Sequence, residues 1–140
     1  MQFVLIVEPC PELRELLDIQ LRLEGYRTHT VASAEDALDC LSSTHVALIT
    51  TEVRFSGMSG TIFLLQLKQR GYTTPILAIS TEPSPPPEFD TYLQKPYHLA
   101  DLHKMVQTLL EGTVNYATSP HSLSRASLPE LSATPRAANR

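Results

Sequence analysis

Glu8, Glu52, Ser80 and Lys95 are the side chains best suited to chemistry, because each stands at or just after the end of a short run that reads as a strand. Glu8 follows Phe3–Val7, Glu52 follows Val46–Thr51, Ser80 closes Pro75–Ser80, and Lys95 follows Thr91–Gln94. Two carboxylates, a hydroxyl and an ammonium on one patch would make a site for a phosphate or a metal ion. The ammonium acts as a point charge for an anion, and the carboxylates are ligands for a hard cation. Pro9, Thr81 and Pro96 are their immediate neighbours.

For these residues to meet, the runs must lie side by side as parallel strands, since the functional crevice of an open α/β sheet lies outside the carboxyl ends of its strands. Phe3–Val7 has the continuous apolar, β-branched character of a strand buried on both faces. Pro11 to Glu24 reads as a helix, with Pro in its first turn, Gly25 as its stop, and Leu13, Leu16, Leu17 and Leu21 near one face. Tyr26–Val31 reads as a second strand, and Ser33 followed by Glu35 and Asp36 as the cap of a helix reaching about Leu41. Val46–Thr51, Pro75–Ser80 and Thr91–Gln94 supply three more strands. Thr61–Arg70 and Leu99–Glu111 supply two more helices, the last with Leu102, Met105, Val106, Leu109 and Leu110 on its buried side and Gly112 after it. Strands alternating with helices predict a doubly wound parallel sheet. A helix is expected between the fourth and fifth strands, but Pro83-Ser84-Pro85-Pro86-Pro87 occupies that place. Proline removes a backbone donor and clashes with the preceding turn, so this helix is shortened or missing.

The chain has 140 residues, is 42% hydrophobic and carries a net charge of −4. These values suit one domain with a real core and argue against a general nucleic-acid binder. Residues 1–113 carry 8 basic and 14 acidic side chains, a net of −6, whereas residues 114–140 carry 3 Arg and 1 Glu, a net of +2. This division predicts one domain over 1–113 and a disordered, Ser/Thr/Pro-rich tail over 114–140. The run Phe3–Val7 is too short for a signal-peptide core or a membrane span, so a cytoplasmic protein is expected. Cys10 and Cys40 make no disulfide framework, and the five histidines show no metal-ligand spacing. A catalytic triad, a GxGxxG motif and a P-loop are all lacking, so an enzyme is not expected.

Several of these segments together resemble the receiver domain of response regulators (CheY-like), over roughly residues 2–111. Val7-Glu8-Pro9 resembles the acidic pair after the first strand. Glu52 aligns with the phospho-accepting Asp, and Gly57-Met58-Ser59-Gly60 with the loop after it. Ser80 aligns with the Ser/Thr that bonds a phosphoryl oxygen, with Thr81 beside it. Tyr92 aligns with the switch aromatic, and Lys95-Pro96-Tyr97 resembles the Lys-Pro-aromatic signature, whose proline often follows a cis bond. The resemblance implies a flavodoxin-like strand order, 2-1-3-4-5, and a partner that is a histidine kinase or a downstream effector.

The departures bear on function. In the family, three oxygen ligands hold Mg²⁺; here Pro9 replaces one carboxylate, so Mg²⁺ binding is expected to be weakened, with Glu8 and Glu52 the residual candidate ligands. Glu52 is one methylene longer than Asp, which moves its carboxylate by about 1.5 Å, and misplacement of that order costs roughly a hundredfold in rate. Phosphoryl transfer rests on positioning and electrostatics, so both changes strike the mechanism. The expectation is a degenerate receiver, a pseudo-receiver, in which Glu52 forms a charge-assisted hydrogen bond with Lys95 and the output is protein contact, with no nucleic acid or membrane as partner. Two other readings stay open: a working phosphorelay receiver that Glu52 serves weakly, and a flavodoxin-like small-molecule binder in the same crevice. Individually, Glu52 can be a solvated loop acid, Ser80 a turn cap and Tyr92 a packed aromatic.

Overall fold

The computed structural model describes residues 2–115 together with the pairs 127–128 and 131–132. Its elements are β1 (Phe3–Val7), α1 (Pro11–Leu23), β2 (Arg27–Val31), α2 (Ala34–Leu41), β3 (Leu48–Thr51), α3 (Gly60–Gln69), β4 (Ile76–Ser80), β5 (Tyr92–Gln94) and α4 (Leu99–Asn115). The five strands form one parallel sheet in the order β2-β1-β3-β4-β5. This is the expected doubly wound arrangement. Two further two-residue strands, β6 (Ser127–Leu128) and β7 (Leu131–Ser132), pair antiparallel. The tail expected to be disordered otherwise falls on residues 116–126, 129–130 and 133–140, outside the described residues.

Alternation along the strands divides the core. Val4 and Ile6 of β1 join Leu48, Leu77 and Ile79 against Leu17 and Leu21 of α1 and Leu102, Val106 and Leu110 of α4. Leu5 and Val7 join Ile49 on the opposite face against α2 and against Phe63 and Leu67 of α3. A strand's period of two forces this split, and burial on both faces explains why β1 is apolar at every position.

Helix starts follow their caps. The Ser33 hydroxyl accepts from Asp36 N at 3.0 Å and the Ser59 hydroxyl from Ile62 N at 3.2 Å, each cap contributing about 1 kcal/mol. Two expectations need correction. Leu13 and Leu16 do not share the buried face of α1: Leu17 and Leu21, four apart, meet the sheet, while Leu13 and Leu16 lie around the flank in solvent. And α4 runs through Gly112 to Asn115; an internal glycine costs a helix only about 1 kcal/mol, which the buried row Leu102, Val106 and Leu110 outweighs.

Between β4 and β5, residues 81–91 form bends and turns with no helix among them. Phe89 N donates to Pro86 O at 3.1 Å, closing a turn with Pro87 in the second position, where its fixed φ fits. Phe89 itself is buried with Val53, Leu64 and Ala78. It is the buried side chain of a connection whose other residues, from Thr81 to Asp90, lie wholly or partly in solvent.

Candidate functional site

Register brings the site together. Val7 pairs with Thr51 across β1 and β3, so Glu8 and Glu52 leave adjacent strands at the same level. Glu52 N donates to Val7 O at 3.0 Å and Glu8 N to Val31 O at 3.1 Å, carrying each ladder one residue past its strand. Ser80 pairs with Gln94, and Lys95 N donates to Ser80 O at 2.8 Å, which sets Lys95 at the neighbouring strand end. The Lys95–Pro96 peptide is cis.

The Lys95 ammonium donates to Glu8 Oε1 at 2.7 Å and to Glu52 Oε1 at 2.9 Å. The three side chains are only 7–12% exposed. The remaining carboxylate oxygens also have donors. Glu8 Oε2 accepts from Cys10 N at 3.0 Å; Glu52 Oε2 accepts from Val53 N at 2.7 Å and Arg54 N at 3.2 Å. Burial alone would raise the Glu52 carboxyl, but hydrogen bonds from Ser80, Lys95 and the Val53 backbone, with the Lys95 charge, hold it below its ordinary value. Burial would likewise lower Lys95, but its bonds to Glu8 and Glu52 carry it above the ordinary lysine value. Both groups are therefore charged at neutral pH, and the Lys95 ammonium lies between the two glutamate side chains.

The geometry also requires Gly60. Its N–H reaches Val53 O at 2.9 Å, and a Cβ at this position would stand 2.5 Å from the same oxygen. Only glycine lets the start of α3 close on the strand end that aims Glu52.

Among the other expected site residues, Ser80 is buried and its hydroxyl accepts from Glu82 N at 3.4 Å. Tyr92 donates its hydroxyl to the carbonyls of Glu82 and Ser80. Pro96 is exposed beyond the cis bond. Thr81 is exposed at the rim, the strand having ended at Ser80, and it belongs to the patch by sequence position alone. Sequence reasoning did not single out Arg54 and Glu82, whose side chains form an ion pair linking the β3–α3 loop to the β4–β5 connection. Their signal was positional: a base two residues after Glu52 and an acid two residues after Ser80, on neighbouring parallel strands. Arg14 was also missed; it donates to Glu8 O at 2.8 Å and Pro9 O at 3.3 Å and so fixes the β1–α1 turn.

Residues 4–107 match the family model of the response regulator receiver domain. The chain belongs to that family. Receivers are signalling modules of two-component systems. This one is 28% identical to the transcriptional regulatory protein BasR of Escherichia coli (strain K12), covering 83% of this chain and 55% of BasR. It is 31% identical to the sensor histidine kinase RcsC of the same organism over 55% of this chain and 8% of the kinase. The chain thus spans about half the length of BasR and a small part of RcsC. Among solved structures it resembles a CheY-like receiver domain from Methylobacillus flagellatus, at 27% identity and a TM-score of 0.71, covering 78% of this chain and 98% of that one. The CheY4 protein of Vibrio cholerae is similar at 26% identity and a TM-score of 0.70, with the same coverage.

The receiver family implies Mg²⁺ at this position, and the donor set tests that fit. Pro9 offers no side-chain oxygen, and all four oxygens of Glu8 and Glu52 already accept hydrogen bonds. Among the described residues no group of three or more His, Cys, Asp or Glu side chains could hold a metal ion. The residues present do not fit Mg²⁺, which prefers octahedral oxygen coordination. Among the described residues no helix is long and apolar enough to cross a membrane.

Proposed function

We propose that this receiver is a pseudo-receiver, a cytoplasmic signalling module that acts through protein contact without being phosphorylated. The observation that carries this reading is the Lys95 ammonium bonded at once to Glu8 and Glu52. In a phosphate pocket that ammonium and the nearby backbone N–H groups would receive the incoming anion. Here the Glu52 carboxylate takes those donors for itself, on Lys95 Nζ, Val53 N and Arg54 N. A carboxylate held by three donors, with its pKa lowered, is a poor nucleophile, and the site lacks the ligand set that would carry a metal-assisted transfer. The pocket is an anion site already filled by its own side chain. Its partner is a signalling protein, a histidine kinase or a downstream effector, a reading supported by the relatives BasR and RcsC.

Intact-mass analysis tests this directly, with the natural chain and the double variant Glu52→Asp/Pro9→Asp each incubated with Mg²⁺ and a small-molecule phosphodonor. The expected result is a phosphoryl mass gain on the double variant and none on the natural chain. A gain on the natural chain that maps to Glu52 would make it a working phosphorelay receiver.

A further inference from the structure

The sheet ends differently on its two sides. The outer strand β5 is three residues long and gives way to Lys95 and the cis peptide before Pro96. Shortness, a lysine and a proline are what blunt an edge against further pairing. The other outer strand, β2, is five residues long and has neither Pro nor Lys; it reads Arg27-Thr28-His29-Thr30-Val31, with its fixed charge at the start. Among the described residues no strand pairs with β2 except β1. The bonds to β1 fix which backbone groups face outward. Arg27 N donates to Gln2 O, and Val31 O accepts from Glu8 N. In a ladder such bonds recur at every second residue, so Arg27, His29 and Val31 bond to β1, and the N–H and C=O of Thr28 and Thr30 point away from the sheet.

We infer that this edge binds a second copy of the chain, β2 against β2 and antiparallel, with His29 on the two-fold axis. The backbone pattern is the first argument. In this register Thr28 of one copy stands opposite Thr30 of the other, and each such pair exchanges two N–H···O bonds, so every outward N–H and C=O of the two threonines is used. Threonine opposite threonine is also a favourable cross-strand pair. Charge is the second argument. Opposite residues on antiparallel strands share a face, so Arg27 of one copy comes beside Val31 of the other, on the side where Val31 packs against the α2 core. An open groove there is lined by His29, Val31, Ala32, Asp36 and Asp39. Arg27, Asp36 and Asp39 are exposed, and none of them forms an ion pair among the described residues. The Arg27 guanidinium instead rests 5.8 Å from the centroid of the Phe3 ring. Within one strand Arg27 and Val31 are about 13 Å apart, so the two-fold axis is what carries the base of each copy to the acids of the other. Antiparallel pairing also sends the carboxyl ends of the two sheets in opposite directions, which leaves both crevices open. The inference is independent of the reading of Glu52.

Sedimentation equilibrium of the full chain tests it. The natural chain is expected to pass from monomer to dimer as its concentration rises, and Thr30→Pro to stay monomeric with the natural circular-dichroism spectrum. Proline at this position removes an outward N–H and no bond to β1. A charge exchange decides the matter even if the proline variant fails to fold. Arg27→Asp and the double variant Asp36→Arg/Asp39→Arg each set like charges against one another across the axis, so each alone is expected to be monomeric. An equimolar mixture of the two restores opposite charges on both sides of the axis and is expected to form the dimer. A natural chain that stays monomeric up to about 1 mM overturns the proposal, and is the outcome expected if the edge takes a strand of another protein instead. A dimer that survives in folded Thr30→Pro or in either charge variant, or a mixture that does not dimerise, overturns it equally.

Discussion

The carboxyl ends of the strands and the β4–β5 connection lie next to each other and are built on opposite terms. At the strand ends, Glu8, Glu52 and Lys95 are buried and bonded to one another or to backbone, with little room for an alternative arrangement. In the connection, the backbone is bent by prolines, most side chains face solvent, and docking falls to Phe89 and to the Arg54–Glu82 pair, whose guanidinium is exposed. A buried charge cluster is intolerant of losing a member, because the partner left behind is desolvated and unpaired. An exposed, proline-stiffened loop loses little from any one change, since water replaces what is removed and the chain's stiffness is spread over several residues.

The sharpest break in this contrast is Lys95→Met. It leaves Glu8 and Glu52 facing each other without their cation, and the cost at neutral pH is about 3–5 kcal/mol of unfolding free energy, read by urea denaturation. The pH dependence checks the cause. In the natural chain Glu52 is lowered in the folded state, so its contribution is complete above the ordinary carboxyl value of 4.5 and is lost as pH falls through the folded value. Lys95 is raised, so its contribution is complete below 10.5 and is lost as pH rises through the folded value. In the variant, two facing carboxylates favour protonation of one of them, so acid stabilises the variant while it destabilises the natural chain. The two stability curves should converge below about pH 5. A gap that stays constant with pH would mean that Lys95 acts through packing of its methylenes instead.

Phe89→Ala asks whether the connection has any rigid point. Phe89 is 6% exposed between Val53, Leu64 and Ala78, and removing its ring costs about 3 kcal/mol by cavity formation, or less if the loop collapses inward. Hydrogen exchange should then rise from Thr81 to Asp90 while β1 and β3 stay protected. Faster exchange at Glu8 and Glu52 as well would show the two regions to be coupled through Arg54 and Glu82.

The same contrast separates what was readable in the sequence from what was not. The sheet was legible because β1 and β4 are apolar at nearly every position, and the missing helix because prolines cannot be accommodated in one. Glu52 meeting Lys95 was legible because parallel strands in register bring their ends to one level. Leu13 and Leu16 misled because a leucine three or four residues from a buried one differs from it by a rotation that pattern alone does not resolve. Thr81 misled because one residue past a strand end is enough to turn a side chain from crevice to solvent. Arg54 with Glu82, and the backbone donors of Val53 and Arg54, depend on loop paths that carry no residue-type signature. Phe89 was hidden among prolines, where no periodicity marks a buried position.

Pro87→Ala should have the smallest effect, and it tests the connection on its own terms. Pro87 is exposed, occupies the second position of the turn closed by Phe89 N on Pro86 O, and has no N–H to contribute. Alanine can adopt the same φ, so the folded loop keeps its shape, and the loss is the extra freedom of the unfolded chain, about 0.5 kcal/mol. The change should lower the denaturation midpoint slightly and leave exchange at Phe89 near the natural rate. A loss approaching that of Phe89→Ala would mean that the turn, and not the aromatic anchor, is what docks the connection, and that the region replacing a helix is as exacting in its geometry as the charged strand ends beside it.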